Sequence, residues 1–360
     1  MKTGDFHFEL PEHLIAQHPS EHRGQSRLML LERSTGKRYH RTVNDLPEIL
    51  AMPAFTTDAG PPLLVFNNSK VRKARLLGTS EAGAKVEFLL LEKDPGDPAG
   101  LTWKALVHRA KRRRPGSTYV FADPAGEPAA KAELSVPEGS RGEGGVRLIS
   151  FDREIDDDWL DRNGHVPLPP YIKRDDAPSD AERYQTVYAE ITGSAAAPTA
   201  GLHFTHELLG RIADSGVESV FITLHVGLGT FLPVRSEEIT DHVMHEETYS
   251  VGKVQAAKIE AARAAGRKIV AIGTTSVRTL ESAWNGRGLE TGEFATSMFI
   301  YPGFNFNVVD ALFTNFHTPE STLLMLVSAF TGRELALEAY AEAVRESYRF
   351  FSYGDAMLAV

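Results

Sequence analysis

The 360-residue chain contains no cysteine. That one absence removes disulfides, thiolate nucleophiles, iron–sulfur clusters and cysteine-ligated zinc together. Long apolar runs are missing too: no stretch approaches the ~20 residues that a bilayer-spanning helix requires. The N-terminal Met1-Lys-Thr-Gly-Asp-Phe lacks the apolar core of a signal peptide, so a cytoplasmic protein is expected. There is no His-Glu-x-x-His string, and His225-Val-Gly-Leu-Gly-Thr230 is not a dinucleotide fingerprint. Chemistry is left to histidine, carboxylates, hydroxyls, lysine and arginine. The 42% hydrophobic and 24% charged content is that of a globular chain, long enough for two domains.

Charge is unevenly spread. The chain carries a net −9, yet residues 70–121 hold twelve Lys and Arg against five Asp and Glu. The positive charge gathers in Lys70, Arg72, Lys73 and Arg75, and again in Arg109, Lys111, Arg112, Arg113 and Arg114. A local excess in an acidic protein points to a polyanionic partner, although a solvated charged face has the same composition.

Taken in order, the first residues lead into a short helix at Pro11-Glu12, a buried strand at Arg27–Glu32 and a helix over 44–51 with Asn44 as its N-cap. Pro61–Phe66 is an apolar strand that ends in the polar Asn67-Asn68. From 71 to 155 helical periodicity vanishes. Short strands separated by Asp94-Pro-Gly, Arg114-Pro-Gly and Asp123-Pro-Ala-Gly predict a small antiparallel barrel. Farther on, helices over 203–215, 251–265 and 276–285 alternate with strands at 217–224 and 267–272, and a helix closes the chain over 336–350. The expectation is an α/β fold: a mostly parallel sheet with flanking helices, interrupted by an inserted small antiparallel β-barrel domain. Residues 1–70 and 156–360 would form the discontinuous α/β domain, and 71–155 the barrel.

Ligands of such sheets sit beyond the carboxyl ends of the strands. His225-Val-Gly227-Leu-Gly229 and Gly273-Thr274-Thr275-Ser276 fall at such ends. Between the barrel and the α/β stretch lies Ala195-Ala-Ala-Pro-Thr-Ala-Gly-Leu-His203-Phe-Thr205, a small-residue loop shaped by Pro198 and Gly201. Gly273–Arg278 joins a strand to a helix start whose free N–H groups attract an anion.

These motifs, with others, resemble the S-adenosylmethionine:tRNA ribosyltransferase-isomerase family of queuosine biosynthesis. The matching strings are Asp5-Phe-x-Phe-Glu-Leu-Pro, Leu64-Val-Phe-Asn-Asn68, Val166-Pro-Leu-Pro-Pro-Tyr-Ile172, Tyr184-Gln-Thr-Val-Tyr188 and Ala196–Phe204. Thr223–Phe231, Gly273–Arg278, Phe299–Phe304, Thr314–Thr322 and Tyr348–Met357 complete a set that runs in order through the chain. Leu228 stands where the family often has Ala, and Ser69-Lys70 where Thr-Arg is usual; the barrel matches least.

The resemblance implies transfer and isomerisation of the ribosyl moiety of S-adenosylmethionine onto 7-aminomethyl-7-deazaguanine at the tRNA wobble position. The products would be epoxyqueuosine-tRNA, adenine and methionine. No metal or redox cofactor is implied, S-adenosylmethionine being consumed, and a monomer is expected. The sulfonium acidifies the neighbouring C5′ protons, so such chemistry needs a base near neutrality, a proton for the departing adenine and exclusion of water. His203, His225 and His245 are the candidate proton handlers, with Glu246 and Asp241 as orienting or second acid/base groups. His203 could instead simply bond its own loop, and His225 could be a satisfied core residue.

For the substrate or modified base the candidates are Asn67, Asn68, Thr199, Gly201, Gly227, Gly229, Thr230, Thr274, Thr275, Ser276, Arg278, Tyr301 and Phe304. For tRNA they are Lys70, Arg72, Arg109, Lys111, Arg112 and Arg113. Two competing readings are an RNA methyltransferase, which would release S-adenosylhomocysteine, and a non-catalytic RNA-binding factor that uses the barrel.

Overall fold

The structure, a computed structural model, describes residues 1–136, 146–227 and 234–360. The chain divides into two compact units. The first comprises 1–70, 169–175 and 182–360, and the second 71–168 and 176–181. The second unit thus continues past residue 155. The helix Asp157–Asn163 explains the extension, because its Trp159 and Leu160 are buried in the apolar cluster of the barrel.

The first unit is built on a nine-stranded sheet. Its spatial order is Gly292–Thr296, Glu247–Val251, Glu218–Leu224, Leu63–Asn67, Ile269–Ile272, Ala311–Asn315, Ala356–Ala359, Arg27–Leu31 and Arg38–Thr42. The expectation of a mostly parallel sheet is corrected here, since four of its eight ladders are parallel and four antiparallel. The parallel core joins Glu218–Leu224 to Leu63–Asn67, then to Ile269–Ile272 and Ala311–Asn315. The antiparallel additions at both flanks are short strands that periodicity alone did not reveal.

Alternation along the central strands sorts side chains between two apolar clusters. Leu63, Val65, Ile269 and Ala271 belong to one cluster, and Leu64, Phe66, Val270 and Ile272 to the other. Successive side chains point to opposite faces, and strands covered on both sides therefore read as continuous apolar runs. Helix boundaries follow capping chemistry. Thr205 Oγ1 accepts from Leu208 N at 3.0 Å and starts His206–Asp214. Ser321 Oγ accepts from Leu324 N at 3.2 Å and starts Thr322–Thr331, an almost wholly buried helix. Asn44 does not cap the helix Leu46–Leu50; it lies inside a 3₁₀ turn, Val43–Asp45, which carries the chain into that helix.

The second unit holds a closed antiparallel barrel of strands Val146–Phe151, Thr102–Val107, Lys85–Lys93, Arg75–Ser80, Thr118–Ala122 and Pro128–Ser135. Alternating inward residues, among them Trp103, Phe88, Tyr119, Phe121 and Ile149, fill its interior. Closure leaves no unpaired sheet edge. Among the described residues no helix is long and apolar enough to cross a membrane.

Candidate active site

Two adjacent parallel strands set the floor of the site. Ile269–Ile272 runs into Gly273 and the helix Thr274–Ala283, while Ala311–Asn315 ends on Asn315 beside it. Gly273 has φ 91°, a left-handed conformation that side chains rarely adopt, and it turns the strand directly into the helix. Its N–H donates to the Phe313 carbonyl at 2.8 Å, locking the turn against the next strand. Above these ends opens a cavity of about 470 Å³, lined entirely by residues of the first unit. That volume suits a nucleoside-sized ligand. Its walls are largely apolar, with Pro169, Tyr171, Met298, Phe299, Ile300, Leu326 and Phe351 among them.

Polar groups converge from several elements: Thr199, His245, Glu247, Thr274, Thr275, Arg278, Thr314, Asn315 and His317. Arg278 and Glu247 form a buried ion pair, with side chains 8% and 5% exposed. Arg278 Nε also donates to the Met298 carbonyl at 3.2 Å, and Glu247 Oε1 accepts from Gly227 N at 3.0 Å. Arg278 Nη2 and Thr275 Oγ1 have no hydrogen-bond partner among the described residues. An unpartnered guanidinium nitrogen near a helix start has the chemistry that attracts an anion. His317 is buried, with Nε2 2.9 Å from Thr314 Oγ1, and burial pushes its pKa down to about 3. The Tyr171 hydroxyl bonds Ser352, and burial raises its pKa to about 12.

The structure brings together Thr199, Thr274, Thr275, Arg278 and His245 of the candidates taken from sequence. The remaining candidates that the structure describes stand elsewhere. His203 is buried behind Asn315, to which its ring is bonded, and borders a separate small cavity with Arg23 and Tyr353. The His225 ring lies against Gly193. Asp241 and Glu246 are exposed, outside the cavity lining.

Asn67 is wholly buried and ties two strands together: Nδ2 donates to the Leu224 carbonyl at 2.9 Å and Oδ1 accepts from Leu224 N at 3.1 Å. Asn68 Oδ1 accepts from Thr223 Oγ1 at 2.7 Å. Gly201 is a packing position, since a Cβ there would lie 2.1 Å from the Tyr188 hydroxyl. Ser276 Oγ donates to the Ile272 carbonyl at 2.8 Å. Gly227 is bonded to Glu247 just outside the lining. Tyr301 and Phe304 pack against Phe299 and Phe306, with ring centroids 5.0 and 5.1 Å apart. Gly229 and Thr230 lie outside the described residues.

Sequence reasoning missed Glu247, Asn315, His317 and the apolar wall of Met298 and Phe299. Asn315 and His317 stand inside the Thr314–Thr322 string, and Glu247 directly follows a chosen residue, so the positions were visible but their orientation was not.

In the second unit the basic run occupies the connection between Thr102–Val107 and Thr118–Ala122. It forms a 3₁₀ turn over Ala110–Arg112, entered through Arg109 at φ 54°. Arg109, Lys111, Arg112 and Arg114 are exposed and form no ion pair among the described residues, whereas Arg113 is half-buried. Arg72 pairs with Asp157 at 2.6 Å, its guanidinium 5.4 Å from the centre of the Trp103 ring. Lys70, half-buried, belongs to the first unit.

A two-unit α/β and barrel chain, with a largely apolar cavity lined by a buried arginine at the ends of parallel strands, has the build of a small-molecule-transforming enzyme. Residues 3–359 match the model of the queuosine biosynthesis protein family, and the chain belongs to that family. It is 52% identical over 360 residues, 99% of both chains, to the S-adenosylmethionine:tRNA ribosyltransferase-isomerase of Treponema denticola. The protein of that name from an Anaeromyxobacter species is 49% identical over the same share. A solved structure, the S-adenosylmethionine tRNA ribosyltransferase of Thermotoga maritima, is 37% identical with a TM-score of 0.53, covering 99% of this chain and 100% of that one.

Proposed function

We propose that this chain transfers and isomerises the ribosyl moiety of S-adenosylmethionine onto 7-aminomethyl-7-deazaguanine at the wobble position of tRNA. Epoxyqueuosine-tRNA, adenine and methionine are the products. The observation that carries this reading is the match to the family along residues 3–359, supported by about half identity to ribosyltransferase-isomerases over their full lengths.

The cavity supplies what the reaction asks of it. Arg278 Nη2, Thr275 and the start of the helix Thr274–Ala283 receive the methionyl carboxylate, and Glu247 holds the guanidinium in place. Met298, Phe299 and Ile300 give the adenosyl portion an apolar wall and keep water from the opened ribose. His245, an exposed imidazole on the lining, handles the C5′ proton. Arg109, Lys111, Arg112 and Arg113 meet the tRNA backbone. The isomerisation breaks the C–S and glycosidic C–N bonds, releasing methionine and adenine, and closes a carbocycle through a new C–C bond. There is no net change of oxidation level, so no redox cofactor is required. The absence of a metal, a cytoplasmic location and a monomeric enzyme complete the reading.

The deciding experiment incubates the protein with S-adenosylmethionine and tRNA carrying the aminomethyl-deazaguanine base, then analyses nucleosides by mass spectrometry. Epoxyqueuosine with stoichiometric adenine and methionine is expected, unchanged by EDTA once the tRNA is folded. S-adenosylhomocysteine with a methylated nucleoside would establish methyl transfer instead.

A further inference from the structure

Asn315 lines the cavity yet is only 2% exposed. Its amide nitrogen is fully committed within the protein. Nδ2 donates to the Phe351 carbonyl at 3.1 Å and to His203 Nε2 at 3.0 Å. A main-chain carbonyl can only accept, so flipping the amide would set oxygen against oxygen. Oδ1 is left with no partner among the described residues. Buried carbonyls are almost always satisfied, and an unpartnered one on a cavity-lining residue calls for a donor from outside the described residues.

His203 completes the clamp. For Nε2 to accept from Asn315 the ring must be neutral, with its proton on Nδ1. Burial, with Arg349 and Arg23 nearby, pushes its pKa down to about 3, so it stays neutral throughout any working pH. Phe313 fixes the ring edge-on, with centroids 5.8 Å apart.

We propose that Asn315 Oδ1 is an acceptor subsite for an amino group of the sulfonium substrate, and that His203 is the positioning residue that holds the amide in its accepting orientation. The inference rests on the function proposed above. An amide whose N–H groups are locked away offers only an acceptor, and the donors of S-adenosylmethionine are the adenine 6-amino group, the methionyl ammonium and the ribose hydroxyls. The two amino groups are the ones placed here; a ribose hydroxyl on Oδ1 would instead leave both amino-deleted analogues bound at full affinity.

The test measures calorimetric affinities of S-adenosylmethionine and two analogues, one with hydrogen in place of the 6-amino group and one lacking the α-amino group. The proteins are wild type, Asn315→Ala, His203→Ala and His203→Gln, each checked for an intact melting transition. Asn315→Ala is expected to weaken S-adenosylmethionine about tenfold or more. The analogue lacking the contacted amino group should bind wild type and Asn315→Ala alike, while the other still shows the loss; that contrast identifies the source. His203→Ala should reproduce part of the loss, and His203→Gln, whose Oε1 can accept from Nδ2, should recover it with both limbs of the pH–rate profile retained.

Full affinity of wild type for both analogues overturns the proposal without needing any variant to fold. So does equal loss of both analogues on Asn315→Ala, or a limb of the pH profile that vanishes in His203→Gln, which would make His203 a proton-transfer group. Failure of wild type to bind S-adenosylmethionine at all would overturn the functional reading as well, whereas binding without amino-group coupling overturns this inference alone.

Discussion

Arg278 and Glu247 meet as an ion pair in the cavity wall, one from a helix and the other from an antiparallel strand, both side chains more than nine-tenths buried. That pairing leaves Arg278 Nη2 without a hydrogen-bond partner among the described residues, and Nη2 is the group proposed to meet the substrate carboxylate. Arg278→Ala is expected to raise the KM for S-adenosylmethionine while kcat stays within a few-fold, the pattern of lost ground-state binding. Removing one member of a buried pair also costs roughly 3–5 kcal/mol of stability. The double replacement Arg278→Met with Glu247→Leu should therefore recover the melting temperature but not KM. Steady-state kinetics beside calorimetry separate the two effects.

His245→Ala should lower kcat by roughly 10²–10⁴-fold with little change in melting temperature. The residue is exposed on the cavity lining, so the fold does not depend on it. Turnover within about threefold of wild type would remove it from proton transfer.

Stability should fall in mild acid. His203 and His317 are pushed by burial from the ordinary 6.5 to about 3. Between those values the unfolded chain binds protons that the native state does not, so stability is full above 6.5 and is lost as pH falls toward 3. Each histidine contributes a slope of about 1.4 kcal/mol per pH unit inside that window. Urea unfolding of wild type and His317→Gln across pH 7.5 to 4.5 should show the shallower acid slope in the variant.

Replacing Lys111, Arg112 and Arg113 by Ala should weaken tRNA binding and flatten its salt dependence. Each lost phosphate contact removes about 0.7 to 0.9 from the slope of log affinity against log salt. Affinity for S-adenosylmethionine should not move, because its cavity is lined only by the first unit whereas these residues belong to the second. Filter binding of tRNA across a salt series reads the effect, and a wild-type slope would leave the run a solvated face.

Much of the architecture follows from local pattern. The alternating short strands after Val71 can only close their apolar faces by pairing, and the Pro-Gly turns place them antiparallel. The period-3.6 stretches of Lys253–Ala265 and Thr274–Ala283, and the apolar runs of Leu63–Asn67 and Ile269–Ile272, announce helices and doubly covered strands. Strands such as Arg38–Thr42, Gly292–Thr296 and Ala356–Ala359 are short, and two of them are exposed or Gly-bearing, so pairing across the sheet defines them rather than their own composition. Three of the sheet's four antiparallel ladders run through these strands and were hidden for that reason.

The site divides in the same way. Position at a strand end picked out Thr274, Thr275 and Arg278 in the sequence, because a strand-to-helix turn puts its polar residues at the sheet's carboxyl edge, while His245 was picked out by residue type, as a histidine able to move protons. Which histidine faces a ligand was undetermined there, since His203, His225 and His317 are all buried or half-buried at element ends of similar composition. Only the packed structure assigns their faces. His203 is turned onto Asn315 Nδ2, His225 onto Gly193 and His317 onto Thr314, through contacts between residues far apart in the chain or through rotamers set by surrounding bulk. Local sequence determined where the elements begin and what chemistry they carry. Burial and long-range hydrogen bonding decided which of those groups lines the cavity and which is bonded behind it.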